Sequence, residues 1–216
     1  MVTNILLRAG IYSYFLLISL VSYSQSLFPD FDAAFHRSRR EAIRQLLPPN
    51  SLAVFFTNPI RNRSNDVDFP FHQDTDFFYM TGLREPNAVL LIFSTPQKNE
   101  NGKTFSEILF LQEKAPEKEL WNGKRLGVEE ARNVLGIDSV LSNTNFNNIT
   151  LNFQKFATVY FKPLPEGVVD DLSEEADLYD LIQIFRKKAN IPDDFDPALY
   201  ELYAFIRKNT DRKAVW

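Results

Sequence analysis

Not one of the 216 residues is a cysteine, and this absence narrows the range of possible folds. The chain has no disulfide framework, no thiol nucleophile and no thiolate site for a metal ion or an iron–sulfur cluster. Its fold must therefore be stabilised by packing alone. A chain of 216 residues, of which 44% are hydrophobic, can bury the core of one large domain or two small ones.

The charge balance and the histidine content exclude several further classes of protein. The formal net charge of -4 argues against a broad nucleic-acid surface, which needs clustered lysine and arginine. His36 and His72 are the only two histidines, so a histidine-rich zinc site is excluded and a catalytic triad would have to use one of them. Seven glycines leave little material for phosphate-binding loops.

The first 24 residues have the organisation of a secretory signal peptide. They carry a single charge, Arg8, followed by the apolar stretch Ile11–Val21. The small residues Ser22 and Ser24 then form the pattern of a signal-peptidase site before Gln25. The apolar stretch is shorter than the roughly 20 residues of a transmembrane helix, and an uncleaved anchor is the alternative. We therefore expect a protein exported to the periplasm or secreted, with no stable membrane span after cleavage.

The mature part of the chain combines apolar runs of strand length with helical patterns. Five runs predict strands, at Ser51–Thr57, Phe77–Thr81, Ala88–Ser94, Phe105–Gln112 and Thr158–Lys162, and the polar stretch Gln97–Lys103 predicts a hairpin turn. Helices are predicted at Asp30–Leu47, Val128–Leu135, Asn147–Phe156 and Leu172–Lys188, with a last helix that opens at Asp196 and Pro197. Closely spaced early strands, followed by strands that alternate with helices, favour an α/β fold with a mixed β-sheet flanked by helices. We expect this domain to span residues 25–206, with a charged connector at 207–216.

Two clusters of charged residues have both a structural and a functional interpretation. Four arginines on the first predicted helix fit a solvated face better than an anion site: Arg37, Arg39, Arg40 and Arg44. Four aspartates in a short stretch can in principle hold a divalent metal, although such residues more often cap turns and strand ends: Asp66, Asp68, Asp74 and Asp76. The structural interpretation is favoured for both clusters.

The most informative segment is the run RSNDVDFPFHQDTDFFYMTGLREPNAVLLI, which begins at Arg63. From the residues alone it fits a recognition rim and an ion-paired loop over the sheet edge equally well. A second motif, ELWNGKRLG, follows from Glu119 to Gly127. In order and spacing these two motifs resemble the N-terminal domain of aminopeptidase P, the family of Xaa-Pro aminopeptidases, and prolidase and creatinase have related N-terminal domains. The resemblance covers residues 30–182, with His72 where the family often has arginine.

The resemblance implies properties that composition does not reveal. It implies an α/β fold with a mixed sheet flanked by helices. The complete enzymes release the N-terminal residue from peptides whose second residue is proline, so proline-containing peptides are the implied ligands. They use a two-metal centre, usually of manganese, held by aspartate, histidine and glutamate side chains. Those ligands belong to a separate C-terminal "pita-bread" domain that this sequence lacks, so we expect no catalytic residue, metal site or cofactor in this chain.

The same resemblance assigns a site role to two residues. Asp66 and Trp121 match positions that reach the active site of a neighbouring subunit, in a family whose N-terminal domain helps to build the oligomer. Asp66 would pair with the terminal ammonium of the substrate, and Trp121 would present an apolar wall to the peptide. The residues themselves leave other interpretations open, an N-cap aspartate for Asp66 and a core or interface tryptophan for Trp121.

Three functional hypotheses follow from these observations. The first is an accessory N-terminal domain of an exported Xaa-Pro aminopeptidase, which contributes substrate access and oligomerisation. The second is a free-standing, non-catalytic module that binds peptides or dimerises. The third is an independent hydrolase that uses the aspartates between residues 66 and 76 together with His72. It is the least favoured, because it needs a metal bound by this chain alone.

Overall fold

A computed structural model of the chain describes residues 32–65, 67–99 and 101–191. The helices and strands of these residues belong to one compact unit that begins at Ala33. The predicted signal peptide, the predicted last helix and the connector at 207–216 lie outside the described residues. Within the described ranges, no helix is both long enough and apolar enough to cross a bilayer.

Five strands form the main sheet, and two more form a separate hairpin. The strands of the main sheet are Ser51–Phe56 (β1), Val89–Lys98 (β4), Thr104–Leu111 (β5), Ser139–Ser142 (β6) and Thr158–Phe161 (β7); those of the hairpin are Asn62–Ser64 (β2) and Val67–Asp68 (β3). The order of the main sheet is β6-β5-β4-β1-β7. Strand β4 is antiparallel to β1 and β5, whereas the edge strands β6 and β7 run parallel to β5 and β1. The predicted mixed sheet is therefore confirmed.

Helices cover both faces of this sheet. The α-helices of the described residues are Ala33–Leu46 (α1), Thr75–Thr81 (α2), Pro116–Asn122 (α3), Gly127–Val134 (α4) and Leu178–Ala189 (α5), and two short 3-10 helices span Asn143–Phe146 and Phe153–Lys155. Alternate side chains of the fully buried strand β1 point in opposite directions: Ala53 and Phe55 join one core, and Leu52, Val54 and Phe56 join the other. The first core packs α1, α2 and α4 against the sheet, and the second packs α5 and the 3-10 helices. This arrangement confirms the predicted flanking helices.

The strand predicted at Phe77–Thr81 is wrong, because this segment forms most of helix α2. Its aromatic residues favour a strand by composition, but local capping decides the outcome. The Asp74 carboxylate accepts hydrogen bonds from the amides of Asp76 and Phe77 and caps the helix N-terminus. Gly82 ends the helix in a left-handed conformation, φ 74°, and donates its amide to the carbonyl of the preceding turn.

Other elements differ from the predictions mainly at their boundaries. The helix predicted over Leu172–Lys188 begins only at α5, because the Asp177 carboxylate accepts a hydrogen bond from the Asp180 amide and caps the helix there. The helix predicted over Asn147–Phe156 is reduced to the second 3-10 helix. Strand β4 extends into the turn predicted at Gln97–Lys103. The sequence predicts neither α3 nor β6, because both are too short to display a clear period.

One arginine of α1 is buried, which corrects the expectation of a solvated arginine face. The Arg40 side chain is 0% exposed, whereas Arg37 is exposed as predicted. The Arg40 guanidinium donates to Glu107 Oε2 on β5 at 2.8 Å, to the Met80 carbonyl of α2 at 2.7 Å and to the Gly136 carbonyl after α4 at 2.8 Å. One cation therefore ties three separate elements to α1.

Replacing Arg40 with methionine should lower the free energy of unfolding by about 3–5 kcal/mol, because Glu107 would stay buried without a cation. Chemical denaturation measures the loss. The double variant Arg40→Met with Glu107→Leu should recover much of it, since both charges are then removed. Arg37→Met is the matched control: Arg37 also donates to the Gly136 carbonyl but is exposed, and its loss should cost less than about 1 kcal/mol. Equal losses for the two single variants would contradict this account.

Candidate functional site

Helix α3 presents the tryptophan of the second motif to solvent. Trp121 is 89% exposed, and its neighbour Leu120 is 83% exposed. None of the seven residues of α3 is buried. This exposure excludes the core interpretation of Trp121 and leaves an apolar ring available for contact with another molecule. The role of Trp121 at the active site of a neighbouring subunit stays a prediction.

The second predicted site residue, Asp66, lies outside the described residues, between β2 and β3 in the sequence. The strands of this hairpin are exposed along their whole length. The Asn62 side-chain amide donates to the carbonyls of Asn65 and Val67 and to Asp68 Oδ1, at 2.9, 3.3 and 3.2 Å. Asp68 therefore helps to close the hairpin, which is a structural role. The pairing of Asp66 with a substrate ammonium stays a prediction.

Two further aspartates of the cluster share one lysine. Lys162, which follows β7, donates to Asp74 Oδ2 at 2.6 Å and to Asp76 Oδ2 at 2.9 Å. Burial by itself lowers the pKa of the Lys162 ammonium, but the two carboxylates more than offset this effect and raise the pKa above its ordinary value. A cation of the chain itself therefore pairs with both carboxylates and offsets one of their two negative charges. Together with the capping of α2 by Asp74, this supports the structural interpretation of the cluster.

The described residues do not fit the manganese centre that the family resemblance implies for a complete enzyme. The His36 ring is buried, with Nδ1 at 3.0 Å from the Tyr79 carbonyl oxygen. A Cβ added at Gly82 would come within 2.8 Å of its Nε2, so the ring is tightly enclosed. His72 is exposed. Within residues 32–65, 67–99 and 101–191, neither histidine belongs to a group of side chains able to share a metal ion.

One acidic cluster lies at the start of α5. The carboxylate oxygens of Asp170, Asp177 and Asp180 lie within 4.8 Å of one another. Asp177 accepts hydrogen bonds from the amides of Asp171 and Asp180, and Asp180 accepts one from the amide of Ala176. Burial raises the pKa of Asp180, and the Asp177 charge adds to this effect. These hydrogen bonds give Asp177 and Asp180 a capping role.

Glu85 links two loops that are distant in the sequence, a contact that sequence reasoning missed. The sequence pattern treats Glu85 only as part of a tight turn before a strand. In the structure its Oε1 accepts a hydrogen bond from the Leu126 amide at 2.6 Å, at the start of α4. Its Oε2 is buried without a hydrogen-bond partner among the described residues. Burial raises the pKa of Glu85 above its ordinary value, although the Leu126 amide and the Arg125 charge oppose the shift.

A second carboxylate, Glu174, binds two side chains of the α3 segment, residues 116–126. Glu174 pairs with Lys118 through Oε2 at 2.5 Å and with Arg125 through Oε1 at 2.7 Å. The side chains of Glu174 and Arg125 are 11% and 10% exposed, so this pair is largely shielded from solvent. Lys118 also donates to the Ser173 carbonyl at 3.1 Å. Helix α3 and the loop after it are thus bound to the segment that precedes α5.

Comparison with known proteins identifies the family. The mixed sheet with its flanking helices and the two motifs define an α/β domain of the aminopeptidase P type, and the family model "Aminopeptidase P, N-terminal domain" matches residues 36–160. That range is more than half of the chain. The chain therefore belongs to the family of aminopeptidase P N-terminal domains, which confirms the resemblance drawn from the sequence.

Individual relatives agree with this assignment, and each of them is much longer than the region that it shares with this chain. The chain is 36% identical to an Xaa-Pro aminopeptidase of Haemophilus influenzae over 123 residues, which cover 57% of this chain and 27% of that protein. It is 28% identical to the Xaa-Pro aminopeptidase of Escherichia coli over 170 residues, 77% of this chain and 37% of that protein. The structure of a variant of E. coli aminopeptidase P in complex with substrate matches with a TM-score of 0.54 and 27% identity, over 74% of this chain and 33% of that one. The chain thus spans about a third of the length of these relatives.

The raised pKa of Glu85 predicts a pH-dependent effect of Glu85→Gln. Because the folded chain holds this proton more tightly than the unfolded chain, the cost of the buried charge is fully present above the raised pKa. That cost vanishes below the ordinary glutamate value of 4.5. We therefore expect the variant to be more stable than the parent chain at neutral pH and to lose this advantage in acid, as measured by unfolding across a pH series. Glu117→Gln, at an exposed carboxylate of α3, is the control, and an advantage of Glu85→Gln that is independent of pH would contradict the prediction.

Proposed function

We propose that this chain is the N-terminal accessory domain of an exported Xaa-Pro aminopeptidase, and that it contributes to substrate access and oligomer formation. The family match over residues 36–160 is the observation that carries the proposal. Two relatives named Xaa-Pro aminopeptidase share only 27% and 37% of their length with this chain, which leaves room in them for a separate catalytic domain. In this proposal manganese is held by that other domain, and the chain described here shapes the approach to it.

Two residues carry the proposed contact with the substrate. A carboxylate at Asp66 can pair with the terminal ammonium of a peptide, and the indole of Trp121 can pack against a proline ring. The 89% exposure of Trp121, on a helix with no buried residue, supports its part. Asp66 belongs to the first motif and stands in the sequence between the exposed strands β2 and β3, and this position supports its proposed contact with the peptide. Both residues would act on a peptide in the active site of a neighbouring subunit, so the proposal includes a homo-oligomer.

Export is proposed from the N-terminal sequence. Residues 1–24 combine a single positive charge, an apolar stretch and small residues before Gln25. A protein on this route needs no disulfide if its core is large enough, and both faces of the sheet are covered by apolar side chains.

The division of labour between domains can be tested with the purified chain and an Xaa-Pro peptide, with and without added manganese. We expect no release of the N-terminal residue under either condition, because this proposal assigns the metal centre to the other domain. The group of described side chains that could share an ion, Asp170, Asp177 and Asp180, contains no histidine, and two of its carboxylates accept backbone hydrogen bonds at the start of α5. Metal-dependent turnover that a chelator abolishes would contradict the proposal. Tight binding of the peptide by the chain on its own would favour the free-standing module instead.

In a complete enzyme that carries this domain, Trp121→Ala and Asp66→Ala should each lower kcat/KM for an Xaa-Pro peptide by about tenfold or more. A contact worth about 1.4 kcal/mol in the transition state has this effect. The melting temperature of the Trp121 variant should be unchanged, because its side chain is 89% exposed. Leu120→Ala, at an 83% exposed position on the same helix, is the matched control for steady-state kinetics. Unchanged kinetics in both site variants would remove the basis for the proposed substrate contact.

A further inference from the structure

Helix α3, which carries Trp121, lacks the usual means of holding a helix in place. None of its seven residues is buried, and the side chain of its N-cap residue, Ala115, makes no capping hydrogen bond. Glu119 closes the first turn by accepting a hydrogen bond from the Ala115 amide, but that bond is internal to the segment. A helix of this length is not stable from its backbone alone. Contacts from outside the helix must therefore decide where Trp121 points.

Glu174 provides one such contact, from the segment before α5. Its two carboxylate oxygens bind Lys118 and Arg125, which lie on either side of Trp121 in the sequence. The Lys118 ammonium also binds the Ser173 carbonyl, so the contact involves the backbone of that segment as well as a side chain. One carboxylate therefore restrains both ends of the stretch that carries Trp121.

Glu85 provides the second contact, from the loop between α2 and β4. Its Oε1 accepts the Leu126 amide, which immediately follows the residue that Glu174 binds. Glu85 is itself well anchored, because its backbone carbonyl accepts a hydrogen bond from Gln73 Nε2 at 2.8 Å. Three charged groups influence its carboxylate: Arg125 and Glu119, within residues 116–126, and Glu130 on α4. The contact thus joins the α3 segment to a loop that leads directly into the central sheet.

We propose that Glu85 and Glu174 form a carboxylate clamp that holds α3 and sets the position of Trp121. Both are positioning residues, since each acts on Trp121 through the segment 116–126. The effect of the clamp on peptide binding rests on the proposed function, in which Trp121 contacts the peptide. A released segment would present the indole correctly for only part of the time, and apparent affinity for the peptide falls by that fraction.

A chain with a single tryptophan reports on the clamp without any activity assay. The sequence contains two tryptophans, so Trp216→Phe leaves Trp121 as the only indole. In that background, we expect Glu174→Gln and Glu85→Ala each to lower the fluorescence anisotropy of Trp121. Glu85→Ala should also speed hydrogen exchange of the Leu126 amide by about tenfold or more, the change expected when one charge-assisted hydrogen bond is lost.

Two control variants separate positioning from general destabilisation. Glu117→Gln removes an exposed carboxylate of α3 that lies outside the clamp, so anisotropy and exchange should match the parent chain. Glu85→Gln retains an oxygen that can accept the Leu126 amide, and it should restore the protection that Glu85→Ala loses. Unchanged anisotropy and exchange in the clamp variants, or equal effects in Glu117→Gln, would overturn the clamp. If the clamp variants loosen Trp121 but Trp121→Ala leaves turnover by a complete enzyme intact, the clamp stands and the proposed function fails.

Discussion

The guanidinium of Arg40 lies with 0% side-chain exposure among α1, α2, β5 and the loop after α4. A charge in such a position is tolerated only when hydrogen bonds replace the lost water, and Glu107 and two carbonyl oxygens supply them. Because these oxygens belong to elements far apart in the sequence, the helices on this face of the sheet cannot shift independently. The loop that carries Glu85 follows α2, and Leu126 lies at the start of α4, so the Glu85 contact of the clamp joins elements that Arg40 holds together. The Glu174 contact comes from the segment before α5.

Packing replaces disulfides on the opposite face of the sheet. Phe110, Phe146, Phe153 and Phe185 form a chain of edge-to-face ring contacts, with centroids 5.1, 6.4 and 5.9 Å apart. This dense core contrasts with α3, where no residue is buried. Ion pairs with Glu174, rather than apolar contacts, hold that helix and the loop after it. The molecule therefore separates a rigid scaffold from an exposed surface that is held mainly by charge, which suits a surface that must meet another molecule.

Strands β1, β4 and β5 could be predicted from the sequence because continuous apolar runs of that length need burial on both sides. The two motifs also identified the family and pointed to Trp121, whose exposure the structure then established. Local composition misled at α2, where aromatic residues favour a strand but the caps at Asp74 and Gly82 impose a helix. The two capping residues are visible in the sequence, but a prediction from composition gives more weight to the strand propensity of the aromatic residues.

The amino-acid sequence alone thus determined the layers of the fold, the family and the candidate tryptophan, because periodicity, composition and motif spacing are local properties. Only the tertiary structure decided which charges are buried and what they bind. Arg40 reads as one more arginine on a polar helix face, and its partner Glu107 lies 67 residues away. The contact between Lys162 and Asp74 spans 88 residues, and the one between Glu85 and Leu126 spans 41. A buried charge is stabilised by whichever groups the folded chain brings to it, and no local pattern encodes that choice.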